Sequence, residues 1–137
     1  MNMIKKINHI AIVVPDLEAS KHFWVDVLGL ELAHQEHVAD EGVDVAFLPL
    51  GESKIELLQP TDEQSGVARY LEKRGSGMHH LCFEVDNIET ALAKLKIAEV
   101  QLINETPVLG SDGRKFAFIH PKSANGVLVE LYELAAA

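Results

Sequence analysis

The sequence predicts an α+β fold: two tandem βαβββ modules forming one curved mixed sheet around a central cleft. Three observations lead there. First, residues 7–16 recur as residues 78–87, laying His9 on His80, Ile12 on Phe83, Val14 on Val85 and Glu18 on Glu89, all 71 apart. Second, the ends of the two halves match: residues 54–58 resemble residues 128–132 at an offset of 74, and Pro49 meets Pro121 at 72. Offsets that drift by so little are those of a duplicated unit with a small loop insertion. Third, the hydrophobic pattern in each half reads strand, helix, then three strands.

Taken in order, residues 4–14 alternate and then run apolar, as a buried strand does. Asp16 follows Pro15 as an N-cap, and Glu18 suits the positive end of the helix dipole. Leu17, Trp24 and Leu28 fall on one helical face, Phe23 and Trp24 are assigned to the core, and Gly29 stops the helix. Strands follow at 31–38 and 43–50, joined by the turn residues 39–42, and a second turn at 50–53 leads to a strand at 54–59 that ends at Pro60. Residues 61–77 form a linker with a short helix near 67–73, and Gly75, Ser76 and Gly77 make it flexible or tightly turned. The second module opens with a strand at 78–85, then Asn87 as N-cap and Ile88, Ala91, Leu92 and Leu95 at helical spacing. Strands at 99–104, 115–120 and 127–133 complete it, with Gly110, Gly113 and Gly126 in the turns. The chain is thus one domain over 1–137, with module one at about 4–60, the linker at about 61–77 and module two at about 78–134.

Bulk properties narrow the function. At 137 residues and 47% hydrophobic, the chain supports one sizeable core. Polar residues interrupt every apolar run, so no membrane span is expected, and the first residues carry no apolar or arginine-rich leader, which points to the cytoplasm. Cys82 is the single cysteine, so disulfide frameworks and cysteine zinc sites are excluded within one chain. The net charge of −9 comes without clustered lysine or arginine, which argues against nucleic acid. Neither a phosphate loop nor a dinucleotide fingerprint is present.

Side-chain direction gives the repeat its chemistry. Glu56 shares a strand face with Leu58, and Glu130 shares one with Leu128 and Tyr132. A carboxylate inside an apolar strand is costly to bury unless it is paired or bound to a metal. His9, Glu56, His80 and Glu130, at duplicated positions, are therefore expected to converge on one cleft. Two imidazoles and two carboxylates form a nitrogen and oxygen set for one divalent first-row metal, and an octahedral ion keeps two positions open for substrate oxygens.

These residues resemble the vicinal-oxygen-chelate (glyoxalase/bleomycin-resistance/dioxygenase) superfamily over nearly the whole chain, and within it the methylmalonyl-CoA epimerase family. The stretches that carry the resemblance are residues 8–11 followed by 15–18, the run Gly77, Met78, His79, His80, and residues 120–122 followed by 126–131. The resemblance implies one divalent ion per active site, Co²⁺ first and Mn²⁺, Ni²⁺, Zn²⁺ or Mg²⁺ after it, held by His9, Glu56, His80 and Glu130. It implies proton abstraction at the α-carbon of an acyl-CoA through an enolate, interconverting (2R)- and (2S)-methylmalonyl-CoA, with Glu130 and Glu56 as bases. A homodimer is expected by the same analogy. Some members carry a catalytic Glu three residues after the glycine matching Gly42. This chain has Val45 there, and strand parity turns Asp44 away from the cleft. Where those members carry a Gln ligand, this chain has Glu56. His79 is expected to point opposite to His80, and Lys122 and Ser123 are candidates to hold the substrate's carboxylate or thioester. The CoA tail is expected to meet scattered surface contacts. Two alternatives share the fold: a glyoxalase I-type lactoylglutathione lyase, which uses the same His, Glu, His, Glu set, and a non-catalytic small-molecule-binding protein. A ring-cleaving iron dioxygenase fits less well, because it uses two His and one carboxylate.

Overall fold

A computed structural model describes residues 3–110 and 112–135, so the first two positions of the start expected to carry no leader lie outside the described residues. The chain divides into two compact units, one formed by His9–His79 and the other by Met1–Asn8 together with His80–Ala137. Strand β1 (Ile4–Val13) contributes to both, its N-terminal half to the second unit and its C-terminal half to the first.

In the His9–His79 unit, β1 pairs in parallel with β4 (Ser53–Pro60), β4 antiparallel with β3 (Val43–Leu50), and β3 antiparallel with β2 (His34–Val38). In the other unit, β5 (Gly77–Val85, of which His80 onward belongs here) pairs in parallel with β8 (Val129–Glu133). Strand β8 pairs antiparallel with β7 (Lys115–Ile119), and β7 with the two-residue β6 (Val108–Leu109). Residues before His9 lie beside β5, where the Asp86 amide donates to the Met3 carbonyl at 3.4 Å. The sheet is therefore mixed, as expected for this α+β plan.

The duplication is exact at the level of the ladders. Glu56 faces Ala11 on one side and Phe47 on the other; Glu130 faces Cys82 and Phe118 in the same way. Helix α1 (Leu17–Lys21) starts at Asp16, whose side chain accepts from Ala19 N at 3.2 Å, and α3 (Ile88–Ile97) starts at Asn87, which accepts from Thr90 N at 2.8 Å. Each helix start is also clamped from the last strand of its module: Gln59 Oε1 accepts from Leu17 N, and Glu133 Oε1 from Ile88 N, both at 2.7 Å. The amides left unpaired by the helix geometry are thus satisfied in the same way twice.

The helices cover one face of each half-sheet. Val14, Leu17, Ala46, Leu48 and Leu57 form the core under α1, and Val85, Ile88, Ala91, Leu92, Ala117, Val129 and Leu131 form the core under α3. Each fully buried leucine or isoleucine contributes about 1.5–3 kcal/mol from leaving water. Because strand residues alternate, this packing fixes the direction of the remaining side chains. Positions 9, 11, 54 and 56 in one unit, and 80, 82 and 130 in the other, project to the face away from the helix.

Three expectations need correction. Phe23 is 50% exposed and Leu28 is 54% exposed; of that helical stripe, Trp24 packs on the core with Leu17. After Lys21 the helix widens into a turn over His22–Val27, in which Leu28 N bonds to Phe23 O at 2.9 Å, and the extra residue per turn rotates the stripe off its face. The strand expected at 31–38 begins at His34. Residues 99–104 form no strand, only a single bridge between Leu102 and Ile119. There the amides of Ile103 and Asn104 both reach the carbonyl of Phe118 while the Asn104 side chain accepts from Phe118 N at 2.8 Å, so a side chain takes the place of a ladder partner. The outer ladder on β7 is supplied instead by β6. The linker contains α2 (Gly66–Arg74), capped by Ser65, and Gly75 turns the chain with φ +77°.

Candidate active site

The buried charged or imidazole side chains among the described residues are His9, Glu56, His80, Glu84 and Glu130. Four of these five form two matched contacts. In the His9–His79 unit, the parallel register that sets Ala11 against Glu56 puts His9 on the same side, and His9 Nδ1 lies 3.3 Å from Glu56 Oε2. In the other unit, Cys82 is set against Glu130 in the same way, and His80 Nε2 lies 3.1 Å from Glu130 Oε1. The four residues are 5%, 9%, 8% and 8% exposed, in the order His9, Glu56, His80, Glu130. Burying a carboxylate this far is costly unless it is paired or bound to a metal.

The surroundings of the two contacts differ. Around His9 and Glu56 the face continues as Ala11, Val43, Val45 and Leu58, all buried, with Val67 of α2 packed against them. Phe47 lies opposite Glu56 and Lys54 opposite His9; the Lys54 ammonium sits 3.9 Å from Glu56 Oε2 and 5.3 Å from the centre of the Phe47 ring. Around Glu130 the corresponding face is more polar. The Phe118 ring meets His80 edge-on at 5.6 Å, and Tyr132 receives a hydrogen bond from Arg114 at 3.2 Å. Burial pushes the Tyr132 phenol above its ordinary pKa of 10.0, opposed by the Arg114 hydrogen bond, so the hydroxyl stays neutral at physiological pH.

Other sequence candidates occupy different places. Asp44 pairs with Gln59 and His37, on the opposite side of β3 from Val45 and Glu56, and its carboxylate is 2.8 Å from His37 Nδ1. His79 stacks edge-on against Tyr70 at 5.0 Å, on the other side of β5 from His80. Lys122 and Ser123 lie in the exposed turn Pro121–Ser123, where the Ser123 hydroxyl accepts from Gln101 N at 2.9 Å. Sequence reasoning missed Glu84, buried on the His80 and Cys82 side of β5 with Lys5 at 3.4 Å. Alternation along 80, 82 and 84 was the signal that points to it.

The sequence profile of the Glyoxalase/Bleomycin resistance protein/Dioxygenase superfamily matches residues 8–118. The mitochondrial methylmalonyl-CoA epimerase of Bos taurus is 42% identical over 127 residues, covering 92% of this chain and 73% of its own length. The ethylmalonyl-CoA/methylmalonyl-CoA epimerase of Cereibacter sphaeroides (strain ATCC 17023) is 42% identical over 134 residues, 96% of this chain and 100% of its own. The chain belongs to this superfamily, in its methylmalonyl-CoA epimerase family. A solved methylmalonyl-CoA epimerase in complex with methylmalonyl-CoA and NH₄⁺ has the same fold, with a TM-score of 0.87 at 35% identity over 97% of this chain and 96% of that one. Members of the superfamily bind a divalent metal, and the donors found here suit one. Each contact presents one imidazole nitrogen and one carboxylate oxygen, the mixture that borderline first-row ions accept.

Proposed function

We propose that this protein is an isomerase of the racemase and epimerase class that interconverts (2R)- and (2S)-methylmalonyl-CoA by moving the proton on the α-carbon. The observation that carries this reading is the buried His–Glu contact built twice, at matching ladder positions, in a chain 42% identical to named epimerases. His9, Glu56, His80 and Glu130 together would hold one divalent ion, Co²⁺ first. When bound, the ion supplies Lewis-acid polarisation of the thioester carbonyl.

The chain's own residues account for the proton. The α-carbon lies between a thioester and a carboxylate, so its proton is already acidic, and removing it gives an enolate that can be reprotonated on either side. Inversion calls for two bases, one for each face, and the duplicated frame supplies two buried carboxylates. Glu130 is assigned to one face and Glu56 to the other. Glu130 is buried beside Phe118 and Cys82, its ladder partners, with His80 Nε2 at 3.1 Å, so the carboxylate is held in place by the frame of β5, β7 and β8. Val45, at the position where some members are expected to carry a Glu, is packed among apolar neighbours and has no acidic group to take a proton.

The reading extends to a homodimer, checked by light scattering after size exclusion, and to a cytoplasmic location. Among the described residues no helix is long and apolar enough to cross a membrane. The deciding experiment is α-proton to deuterium exchange of methylmalonyl-CoA in D₂O by NMR, with protein stripped of metal and then reloaded with Co²⁺ or Mn²⁺. Metal-dependent exchange with loss of stereochemical purity is expected. No exchange with any ion would overturn the reading and move the reaction to a glyoxalase-type hemithioacetal.

A further inference from the structure

We infer that Lys54 binds the free carboxylate of the substrate and so restricts the enzyme to acidic acyl thioesters. The inference rests on the epimerase reading and deepens it. Lys54 is placed by β4: the register that sets it against His9, two residues before Glu56, puts its side chain on the same face as both. The ammonium lies over the Phe47 ring, 5.3 Å from its centre. The ammonium is 3.9 Å from Glu56 Oε2, close enough for attraction but beyond the 2.7–3.2 Å or so of an N–H···O hydrogen bond. Its donors are therefore not taken up by Glu56. At 35% exposure the side chain is accessible to a ligand.

The duplication makes this cation informative. Lys54 precedes Glu56 by two residues, and the residue two before Glu130 is Leu128. The charge is thus an addition to one copy of an otherwise matched frame. Proton removal from two faces needs two similar carboxylates, which the duplication provides. The substrate, however, has unlike arms: one ends in a carboxylate and the other in a thioester. Both enantiomers present the same two arms and differ only in which side carries hydrogen and which carries methyl. A single ammonium beside one of the two carboxylates matches that asymmetry, because it fixes the acidic arm identically in both enantiomers. An ammonium is also the donor type suited to a carboxylate whose orientation changes slightly between them, since it acts as a compact charge rather than a planar fork.

The CoA phosphates are the other anionic source in the same ligand, and the test separates the two. Binding of racemic methylmalonyl-CoA, whose composition turnover does not alter, is compared with binding of propionyl-CoA, which lacks the carboxylate. Calorimetry is run on the metal-loaded full chain as wild type, Lys54→Gln and Lys54→Arg, with metal content measured alongside. The expected result is that Lys54→Gln weakens methylmalonyl-CoA by about 10- to 100-fold, the range for a hydrogen bond between charged groups. Propionyl-CoA is expected to change less than about twofold, Lys54→Arg to recover most of the loss, and metal content to be unchanged. Equal losses for both ligands would assign Lys54 to the phosphates and overturn the proposal, as would no loss for either, or loss of metal. A wild type that fails to exchange the α-proton would instead overturn the epimerase reading, which the same preparations establish beforehand.

Discussion

Replacing Glu130 by Gln tests the base assignment, because the amide keeps the shape of the carboxylate and removes only its charge and its capacity to take a proton. Glu130 is 8% exposed and 3.1 Å from His80 Nε2, so water cannot readily enter to substitute as the base. A positioned general base is worth about 10²–10⁴ in rate. A fall in kcat of about 10³ is therefore expected, equivalent to about 4 kcal/mol in the barrier. The matched control is Asp44→Asn. The ladder sets Asp44 against Gln59 and His37, on the opposite side of the strand from Glu56, and the substitution is expected to change kcat by no more than about twofold. The assay is α-deuterium exchange at saturating metal, with bound metal quantified, so that a lost ion is not mistaken for a lost base. A Glu130→Gln enzyme within about tenfold of wild type would refute the assignment of Glu130. An Asp44→Asn enzyme as poor as Glu130→Gln would refute the face argument itself.

Removing divalent metal with a chelator should lower the melting temperature, and restoring it at about 100 times its dissociation constant should return about 2.7 kcal/mol of stability, read by thermal denaturation at fixed protein concentration. An unchanged melting temperature would argue that the buried imidazole–carboxylate contacts are self-sufficient. Asn87→Ala removes the α3 cap that accepts from Thr90 N, and should cost about 1 kcal/mol in denaturant midpoint analysis without altering metal content. In the pH direction, the folded state holds the Tyr132 phenol proton above the ordinary 10.0, mainly through burial. The folded state therefore binds more protons than the unfolded state above that value, and stability falls as pH rises from about 10 through the raised pKa. Tyr132→Phe should remove that part of the alkaline decline, together with a late step in the tyrosinate absorbance titration.

Much of the frame was legible because it depends on local, periodic signals. Asp16 and Asn87 read as caps from their residue type and position, and both accept the hydrogen bond three residues on. Strand parity alone separates Glu56 from Asp44, and the ladders place them on opposite faces. What was not legible depended on tertiary substitution. The sequence 99–104 has the apolar spacing of a strand, yet the Asn104 side chain takes the amide that a strand would have paired, an event set by geometry at Phe118. Phe23 and Leu28 have the spacing of a core stripe, and nothing in residue type announces that the helix widens after Lys21. Glu84 was legible and passed over, since the same alternation that selected His80 selects it.

The two copies also separate what duplication constrains from what it leaves open. The ladder partners of each glutamate, the helix caps and the side-chain clamps on Leu17 and Ile88 recur at corresponding positions, because each is needed to hold a His–Glu contact on the face opposite a helix. Residues along that face have no such obligation. Val45 and Leu58 continue it as apolar surface in one copy, while Phe116 and Tyr132, beside Arg114, continue it in the other. A duplicated pair of carboxylates in unlike settings is what a reaction at a stereocentre requires. The proton has to be removable from either face, whereas the groups attached to that carbon differ, and only an unequal lining can tell them apart.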